Sequence, residues 1–141
     1  MGRYRTILLC ADRGREEDGV LGTAAQPGMN IVLASDGEYD PGAGVASASQ
    51  INIVTESYNA LNQGKTVDDT IAIGDRASFL SPQTGERVAV LLKSGEAASI
   101  GSLLKADSAG LFVVTATAPA QFVAREALTA SGNQLIEAKR L

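Results

Sequence analysis

Residues 87–114 have the sequence RVAVLLKSGEAASIGSLLKADSAGLFVV, with three apolar runs of strand length at residues 88–92, 100–104 and 111–114. Short segments rich in Gly, Ser, Asp and Lys separate the runs. Aliphatic runs between turn-forming residues predict consecutive antiparallel strands joined by short turns. Gly95 and Gly110 lie where the chain reverses, and we expect both to adopt a positive φ, which a side chain disfavours. The stretch therefore builds a sheet, and its few polar residues do not suit catalysis.

Strand and turn signals of the same kind recur along the rest of the chain. Further strands are predicted at residues 6–11, 29–34, 51–57, 71–73, 77–80 and 121–128. After a turn at residues 130–133, the final segment QLIEAKRL suits either a helical turn or an edge strand. We prefer the strand because SGN is a good hairpin turn. Lys139 and Arg140 would then protect an exposed sheet edge.

The spacing of these signals predicts the fold class. About nine or ten short strands, with a turn roughly every ten residues, favour an all-β fold: an antiparallel β-sandwich, jelly roll or small barrel. The chain has 141 residues, the length of one ordinary domain. We therefore expect one β-rich domain over residues 1–141, with an N-terminal strand and charged arm at residues 1–20 and a small-residue loop at residues 40–50.

Composition limits the classes of function. Aromatic residues make up 4% of the chain and Trp is absent, so the core is built from Val, Ile, Leu and Ala. Such a core predicts modest stability, supplemented by association with other chains. The net charge is −4. Binding to nucleic acid is not expected, since that requires a basic surface. No apolar segment approaches the length of a membrane span.

Few residues are suited to catalysis or metal binding. The sequence contains no His, which excludes imidazole bases, Ser-His-Asp and Cys-His pairs and His-ligated metals. Asp68 and Asp69 are adjacent, so on an extended segment they point to opposite sides, and we interpret them as a solvated turn. Asp36 and Asp40 lie in a segment with too few oxygen ligands for calcium. Cys10, within an apolar run, is interpreted as a buried small hydrophobe. We expect no catalytic residue, no metal and no cofactor.

Two segments are candidates for contact with a partner. The charged segment at residues 12–18 fits either a solvated loop or helix turn, or a partner-facing arm, and four of the twelve basic residues lie before residue 16. The tract AGVASAS at residues 43–49 is either a flexible connection or a stretch that packs flat against another surface. The candidate contact residues are Arg3, Tyr4, Arg5, Arg13, Arg15, Glu16, Glu17, Asp18, Asp40 and Pro41.

Three segments carry a resemblance to a known group of proteins: residues 88–114, 118–128 and 131–141. Their Leu and Gly hairpin followed by an A-x-E-A-L pattern, a Gly and a final strand resembles the capsid decoration, or cement, proteins of tailed bacteriophages. The likeness covers most of residues 70–141 and, more loosely, residues 1–40. Ser102 departs from it, since that pattern often has Asp there. The residues that match are Leu91, Gly95, Ala97 or Ala98, Gly101, Leu104, Ala124, Glu126, Ala127, Leu128, Gly132, Leu135 and Ile136.

This resemblance implies a non-enzymatic protein of the virion. It would bind the outer surface of an icosahedral shell built from an HK97-type major capsid protein and hold capsomers together against the pressure of packaged DNA. A jelly-roll-like β body and self-association, as a homodimer in preference to a homotrimer, would be typical. Neither nucleic acid nor a membrane would be a direct partner.

Two other classes of function remain open from the sequence. The hairpin around Lys105 is similar to those of biotinyl or lipoyl carrier domains, in which a tight turn presents a modified lysine. A carbohydrate-binding β-sandwich is the third possibility. The chain has no Trp and only three Tyr, however, so it offers little aromatic surface on which a sugar could stack.

Overall fold

The computed structural model describes residues 6–10, 17–43, 51–56, 66–116 and 120–141. These residues form thirteen β-strands and no helix, which confirms the predicted all-β sandwich or barrel class. The strands are β1 (Leu8–Cys10), β2 (Glu17–Val20), β3 (Ile31–Leu33), β4 (Tyr39–Pro41), β5 (Ile53–Thr55), β6 (Arg76–Leu80), β7 (Arg87–Leu92), β8 (Ala97–Ala98), β9 (Leu103–Ala106), β10 (Phe112–Thr115), β11 (Phe122–Ala124), β12 (Leu128–Thr129) and β13 (Gln134–Arg140).

Five strands close into a small barrel in the order β7, β10, β9, β11, β13, with β13 returning to β7. The β7–β13 ladder runs from Gln134 opposite Leu92 to Lys139 opposite Arg87. All barrel pairings are antiparallel except that of β7 and β10, which are parallel and share the pair Phe112 and Leu92. The barrel is therefore an antiparallel sheet that closes through one short parallel contact.

The barrel interior is filled by alternate residues of each strand, as the two-residue period of a strand requires. Phe112 and Phe122 meet inside it edge to face, with ring centroids 5.4 Å apart. Arg140 lies at the end of β13, with its guanidinium carbon 5.8 Å from the Phe122 ring centroid and Nη1 donating to the Gln121 carbonyl at 2.9 Å. Burial lowers the pKa of Arg140 from its usual value. Arg140 thus covers one end of the apolar interior.

The second edge of β7 is completed by three separate segments of the chain. The Ala89 amide donates to the Ile7 carbonyl at 2.8 Å, and the Leu91 amide donates to the Gly28 carbonyl at 2.9 Å. The Lys93 amide, just after the strand, donates to the Phe112 carbonyl at 2.9 Å. With β13 on the other edge, β7 is enclosed by backbone partners. Both faces of β7 are buried as well, from Val88 to Leu92, and this explains its uninterrupted apolar sequence.

A second layer covers the side of the barrel formed by β7 and β13. It contains the β2–β6–β5 sheet and the β3–β4 hairpin around a core that includes Leu21, Ile31 and Phe79. The loop before β3 lies directly on the barrel. A Cβ placed on Gly28, which has a φ of +95°, would lie 2.6 Å from Leu135 Cδ2 and 2.9 Å from the Leu91 amide nitrogen. Only a glycine permits this close contact.

Buried Asn30 joins the second layer to the turn between β9 and β10. Its Nδ2 donates to the Gly42 carbonyl at 2.7 Å, and its Oδ1 accepts from the Asn52 amide at 3.0 Å. Its backbone amide donates to the Gly110 carbonyl at 2.9 Å. One fully buried side chain and its backbone therefore connect three segments that are distant in sequence.

The predicted strand order is wrong in one respect. β9 and β10 form the expected antiparallel hairpin, and Gly95 and Gly110 have the expected positive φ. β7, however, is not paired with β9, because β10 lies between them. The predicted strand at residues 100–104 begins only at Leu103, since Ser102 donates to the Ser99 carbonyl and residues 99–102 form a turn. Ile100 is 75% exposed at this turn.

The C-terminal segment is a strand, as preferred, but it is not an edge strand. β13 pairs with β11 on one side and β7 on the other, so Lys139 lies between Val123 and Arg87. The prediction that Lys139 and Arg140 protect an exposed edge is therefore wrong. Barrel closure, which a local pattern does not reveal, supplies the second partner.

Two other predicted strands are shorter than expected. Residues 71–73 contribute only a single bridge, between Ile71 and Ala25, and Ile73 is 67% exposed in a turn. The predicted strand at residues 121–128 divides into β11 and the start of β12, because the chain bends at Arg125 and Glu126. The structure also adds β2, β4 and β8, which the sequence pattern did not indicate.

Replacement of Gly110 tests the contact between the barrel and the second layer. Its φ is +77°, and a Cβ there would lie 2.5 Å from the Asn30 carbonyl oxygen. The control is Gly95→Ala, since Gly95 has a φ of +89° and open space around it. We expect Gly95→Ala to lower the free energy of unfolding by about 1–2 kcal/mol and Gly110→Ala by about 1–3 kcal/mol more. Urea unfolding measures both, and equal losses would contradict the packing described here.

Replacement of Asn30 tests the buried hydrogen bonds. Asn30→Ala leaves the Gly42 carbonyl and the Asn52 amide without this partner, and we expect a loss of about 2–4 kcal/mol in the free energy of unfolding. In the control, Asn133→Ala, an exposed side chain stops accepting from the Ser94 amide, and we expect less than about 1 kcal/mol. Urea unfolding and hydrogen exchange at the Asn52 amide measure the difference, and similar losses would exclude a special role for Asn30.

Candidate interaction surface

Most of the predicted contact residues lie outside the described residues. Arg3, Tyr4, Arg5, Arg13, Arg15 and Glu16 all fall there, as do residues 44–50 of the small-residue loop. Their assignment to a partner interface stays a prediction. The structure does place the other four contact residues, Glu17, Asp18, Asp40 and Pro41, on strands β2 and β4.

Glu17 and Asp18 begin β2 and are exposed. They lie opposite Phe79 and Ser78 of β6. Asp18 forms an ion pair with Arg76 at 2.8 Å, in which both side chains are more than half exposed. This part of the charged segment is therefore a solvated strand whose side chains are accessible to a partner.

Asp40 and Pro41 lie on β4 and are only half exposed. Asp40 Oδ1 accepts a hydrogen bond from Thr23 Oγ1 at 2.9 Å. Pro41 pairs with Ile31 and lies near Gly110, where an added Cβ would be 3.1 Å from the proline Cβ. Both residues are therefore engaged in the fold.

The structure brings the two predicted segments side by side. Leu21, just after β2, forms a parallel bridge with Tyr39 of β4, and the Gly22 amide donates to the Tyr39 carbonyl at 2.8 Å. The Tyr39 and Phe79 rings pack with centroids 4.6 Å apart. β2 and β4 are thus neighbouring parts of the second layer, although they are separate in sequence.

Many carboxylates of the described residues are used to build the fold. They accept hydrogen bonds from backbone amides, where charge-assisted bonds are strong. Glu56, for example, accepts from the Ile7 amide at 3.0 Å and from Thr6 Oγ1 at 2.7 Å, which fixes β1. Asp107 accepts from two amides in the β9–β10 turn. The seven carboxylates with such bonds are those of Asp36, Glu56, Asp69, Glu86, Glu96, Asp107 and Glu126.

The residues considered for chemistry are not gathered into a site. Asp69 Oδ2 accepts from the Thr66 amide at 2.7 Å, so Asp68 and Asp69 belong to an exposed turn, as predicted. Among the described residues, no three Cys, Asp or Glu side chains are grouped as metal ligands would be. Lys105 lies within β9, opposite Val113, and not at the tip of a turn. Within the described residues as a whole, no helix has the length and apolarity needed to cross a membrane.

One surface was missed at the sequence level. The outer face, defined here as the outward residues of β9, β10 and β11, carries Leu103, Lys105, Val113, Thr115 and Val123. These strands have apolar residues at consecutive positions, so both of their faces are apolar. An antiparallel sheet with one solvated face normally alternates apolar and polar residues. This lack of alternation could have identified the second apolar face, but we expected these aliphatic residues to lie in the core.

Comparison with protein-family models and with curated proteins gave no match for this chain. The function must therefore be inferred from its own residues and their arrangement.

The Asp18–Arg76 pair tests whether β2 is free to contact a partner without a role in folding. Because both side chains are largely exposed, we expect Asp18→Asn to change the free energy of unfolding by less than about 1 kcal/mol. A urea unfolding curve measures this change. A loss of several kcal/mol would show that this carboxylate is part of the fold and would remove it from the candidate contacts.

Proposed function

We propose that this chain is a non-enzymatic structural protein of a bacteriophage virion. It binds the outer surface of an icosahedral shell built from an HK97-type major capsid protein. There it stabilises contacts between capsomers against the pressure of packaged DNA. Its partners are that major capsid protein and further copies of this chain, as a homodimer in preference to a homotrimer.

One observation carries the proposal: the segments that resemble decoration proteins form one structural unit. Residues 88–114, 118–128 and 131–141 supply β7 to β13, and five of these strands close into the barrel. The resemblance therefore covers the strands of one closed sheet and not isolated hairpins.

The use of the carboxylates also favours a structural role. Seven of them are committed to backbone amides in turns and between strands. A general acid or base must reach a substrate proton, and a carboxylate held by the backbone is poorly suited to that task. These seven carboxylates thus serve stability, which agrees with a protein that acts through its surface.

The mechanism is the addition of many small contacts. A decoration protein occupies a repeated lattice, so one copy that contacts two capsomers links them, and association between copies raises the effective concentration at neighbouring sites. Each contact can then be weak. Residues 1–5 precede a fixed point, since Thr6 and Ile7 are both bonded to Glu56, and an arm that extends from such a point can bind a neighbour without disturbing the barrel.

The proposal is tested by binding to capsids. Expanded empty heads, assembled from the HK97-type major capsid protein encoded beside this chain, are incubated with the purified protein, and binding is measured by cosedimentation and by occupancy in electron microscopy. We expect saturable binding, together with slower disruption of the heads on heating. Absence of binding, or of such a neighbouring gene, would contradict the proposal.

The charged arm gives a variant for the same assay. We expect deletion of residues 1–5, or Arg13→Glu with Arg15→Glu, to weaken head binding about tenfold or more, because basic groups that face an acidic partner are lost or reversed. The urea midpoint should stay unchanged. The matched control is the variant Ser35→Glu, Ala72→Glu, Gln83→Glu and Ser94→Glu, which changes the net charge equally at exposed loop and turn residues and should bind normally. Equal binding by all variants would remove the arm from the interface.

A further inference from the structure

We infer that the outer face, formed by the outward residues of β9, β10 and β11, is the main surface with which the protein contacts the shell. The partner surface has an apolar centre and carboxylates around it. This inference rests on the proposed function and names the site through which that function is carried out. By its definition, the outer face contains no residue of the charged arm or of β4.

The strand register aligns the residues of the outer face. Thr115 lies opposite Leu103, Leu103 lies opposite Val123, and Val123 lies opposite Lys139 of β13. Residues directly opposite each other in a sheet share a face. Beside this row, Val113 lies opposite Lys105. Three aliphatic side chains on three adjacent strands therefore share one face, with Lys105 opposite Val113 and Lys139 opposite Val123.

Burial separates this face from the rest of the barrel. The outward residues Ala89, Leu91 and Leu135 on β7 and β13 are buried, because the second layer lies over them. Leu103, Val113 and Val123 are only partly buried, and within the described residues they belong to neither of the two cores. An apolar patch on a solvated sheet face indicates a surface that a partner covers.

The charge of the face is opposite to that of the whole chain. The chain has a net charge of −4, but the outer face and its border carry Lys105 and Lys139. In the described part of the chain neither lysine forms an ion pair, although Lys93 and Arg87 do. Lysines around an apolar centre that form no ion pair with a described carboxylate complement a surface with carboxylates around it.

This charge pattern selects one occupant. A second copy bound through the same face by two-fold symmetry would bring lysine-bordered surfaces together, which like-charge repulsion opposes. Two lysines beside aliphatic side chains also lack the dense basic charge that nucleic acid requires. A different protein surface, apolar at its centre and acidic at its border, fits the patch, and under the proposed function that surface belongs to the major capsid protein.

The experiment uses the full chain and the expanded heads described above. Lys105→Gln with Lys139→Gln removes one positive charge from the outer face and one from its border on β13. The control, Ser35→Glu with Ala72→Glu, changes the net charge equally at exposed turn residues of the second layer. We expect the lysine variant to bind heads about tenfold more weakly at moderate salt and to show a smaller dependence of affinity on salt. The control should bind as the wild type does.

A second variant tests the apolar centre. Val123→Thr replaces one methyl group with a hydroxyl and keeps the branched shape and strand propensity of the side chain. We therefore expect weaker head binding, by an amount that does not depend on salt. Its control is Val32→Thr on β3, a partly exposed valine of the second layer. Urea unfolding of all variants identifies any that fail to fold, and sedimentation velocity without heads reports self-association.

The outcomes separate this inference from the proposed function. Weaker binding by both outer-face variants, with both controls normal, supports the inference. If the outer-face variants bind heads as tightly as the wild type does, the inference is wrong and the proposed function stands. No wild-type binding to heads overturns both. Loss of a wild-type dimer in the lysine variant would also overturn the inference, because it would make a second copy the occupant.

Discussion

On the edge of β7 away from β13, the amides of Ala89 and Leu91, and of Lys93 just after the strand, need acceptors, and no single strand supplies them. Ile7, Gly28 and Phe112 each provide one carbonyl, at 2.8 or 2.9 Å. An unpaired amide at such a buried position is costly, so the N-terminal strand, the loop before β3 and the start of β10 must all meet at this edge. The ladder with β13 fixes the opposite edge. β7 is therefore the strand at which the barrel closes and to which the second layer is attached.

The second junction depends on close backbone contact more than on side-chain volume. Asn30 reaches the Gly42 carbonyl, the Asn52 amide and the Gly110 carbonyl, and an added Cβ at Gly110 would collide with the Asn30 carbonyl. Gly28 makes a similar approach to Leu91 and Leu135. Such contacts have few alternative geometries, because a buried polar group is stable only while its partners are held in place. Two glycines and one asparagine thus position the second layer in a protein with only six aromatic residues.

The sequence allowed prediction of the local structure but not of the strand partners. The aliphatic runs correctly indicated β7, β9, β10 and β13, and Gly95 and Gly110 have the expected positive φ. The order of the strands was not predictable, because the runs that pair with β7 begin far from it in the chain. The polar end of β13 suggested an edge, but Arg140 faces the end of the barrel interior and Lys139 faces outward between two paired strands. The candidate contact residues were chosen by charge in loops. The apolar positions on the outside of β9 and β11 were overlooked because one strand alone does not show which face is covered.

Under the proposed function, the two layers of the molecule have separate roles. The second layer covers β7 and the start of β13 and so stabilises one side of the barrel. The opposite side keeps its aliphatic residues partly exposed and its lysines without carboxylate partners among the described residues. A single isolated protein gains no stability from that arrangement, since apolar area left in water contributes nothing to folding. The arrangement becomes favourable when an acidic surface covers it. Under the proposed function, a shell would offer that surface many times over, so a patch too small to bind one partner tightly would suffice when neighbouring copies are also bound.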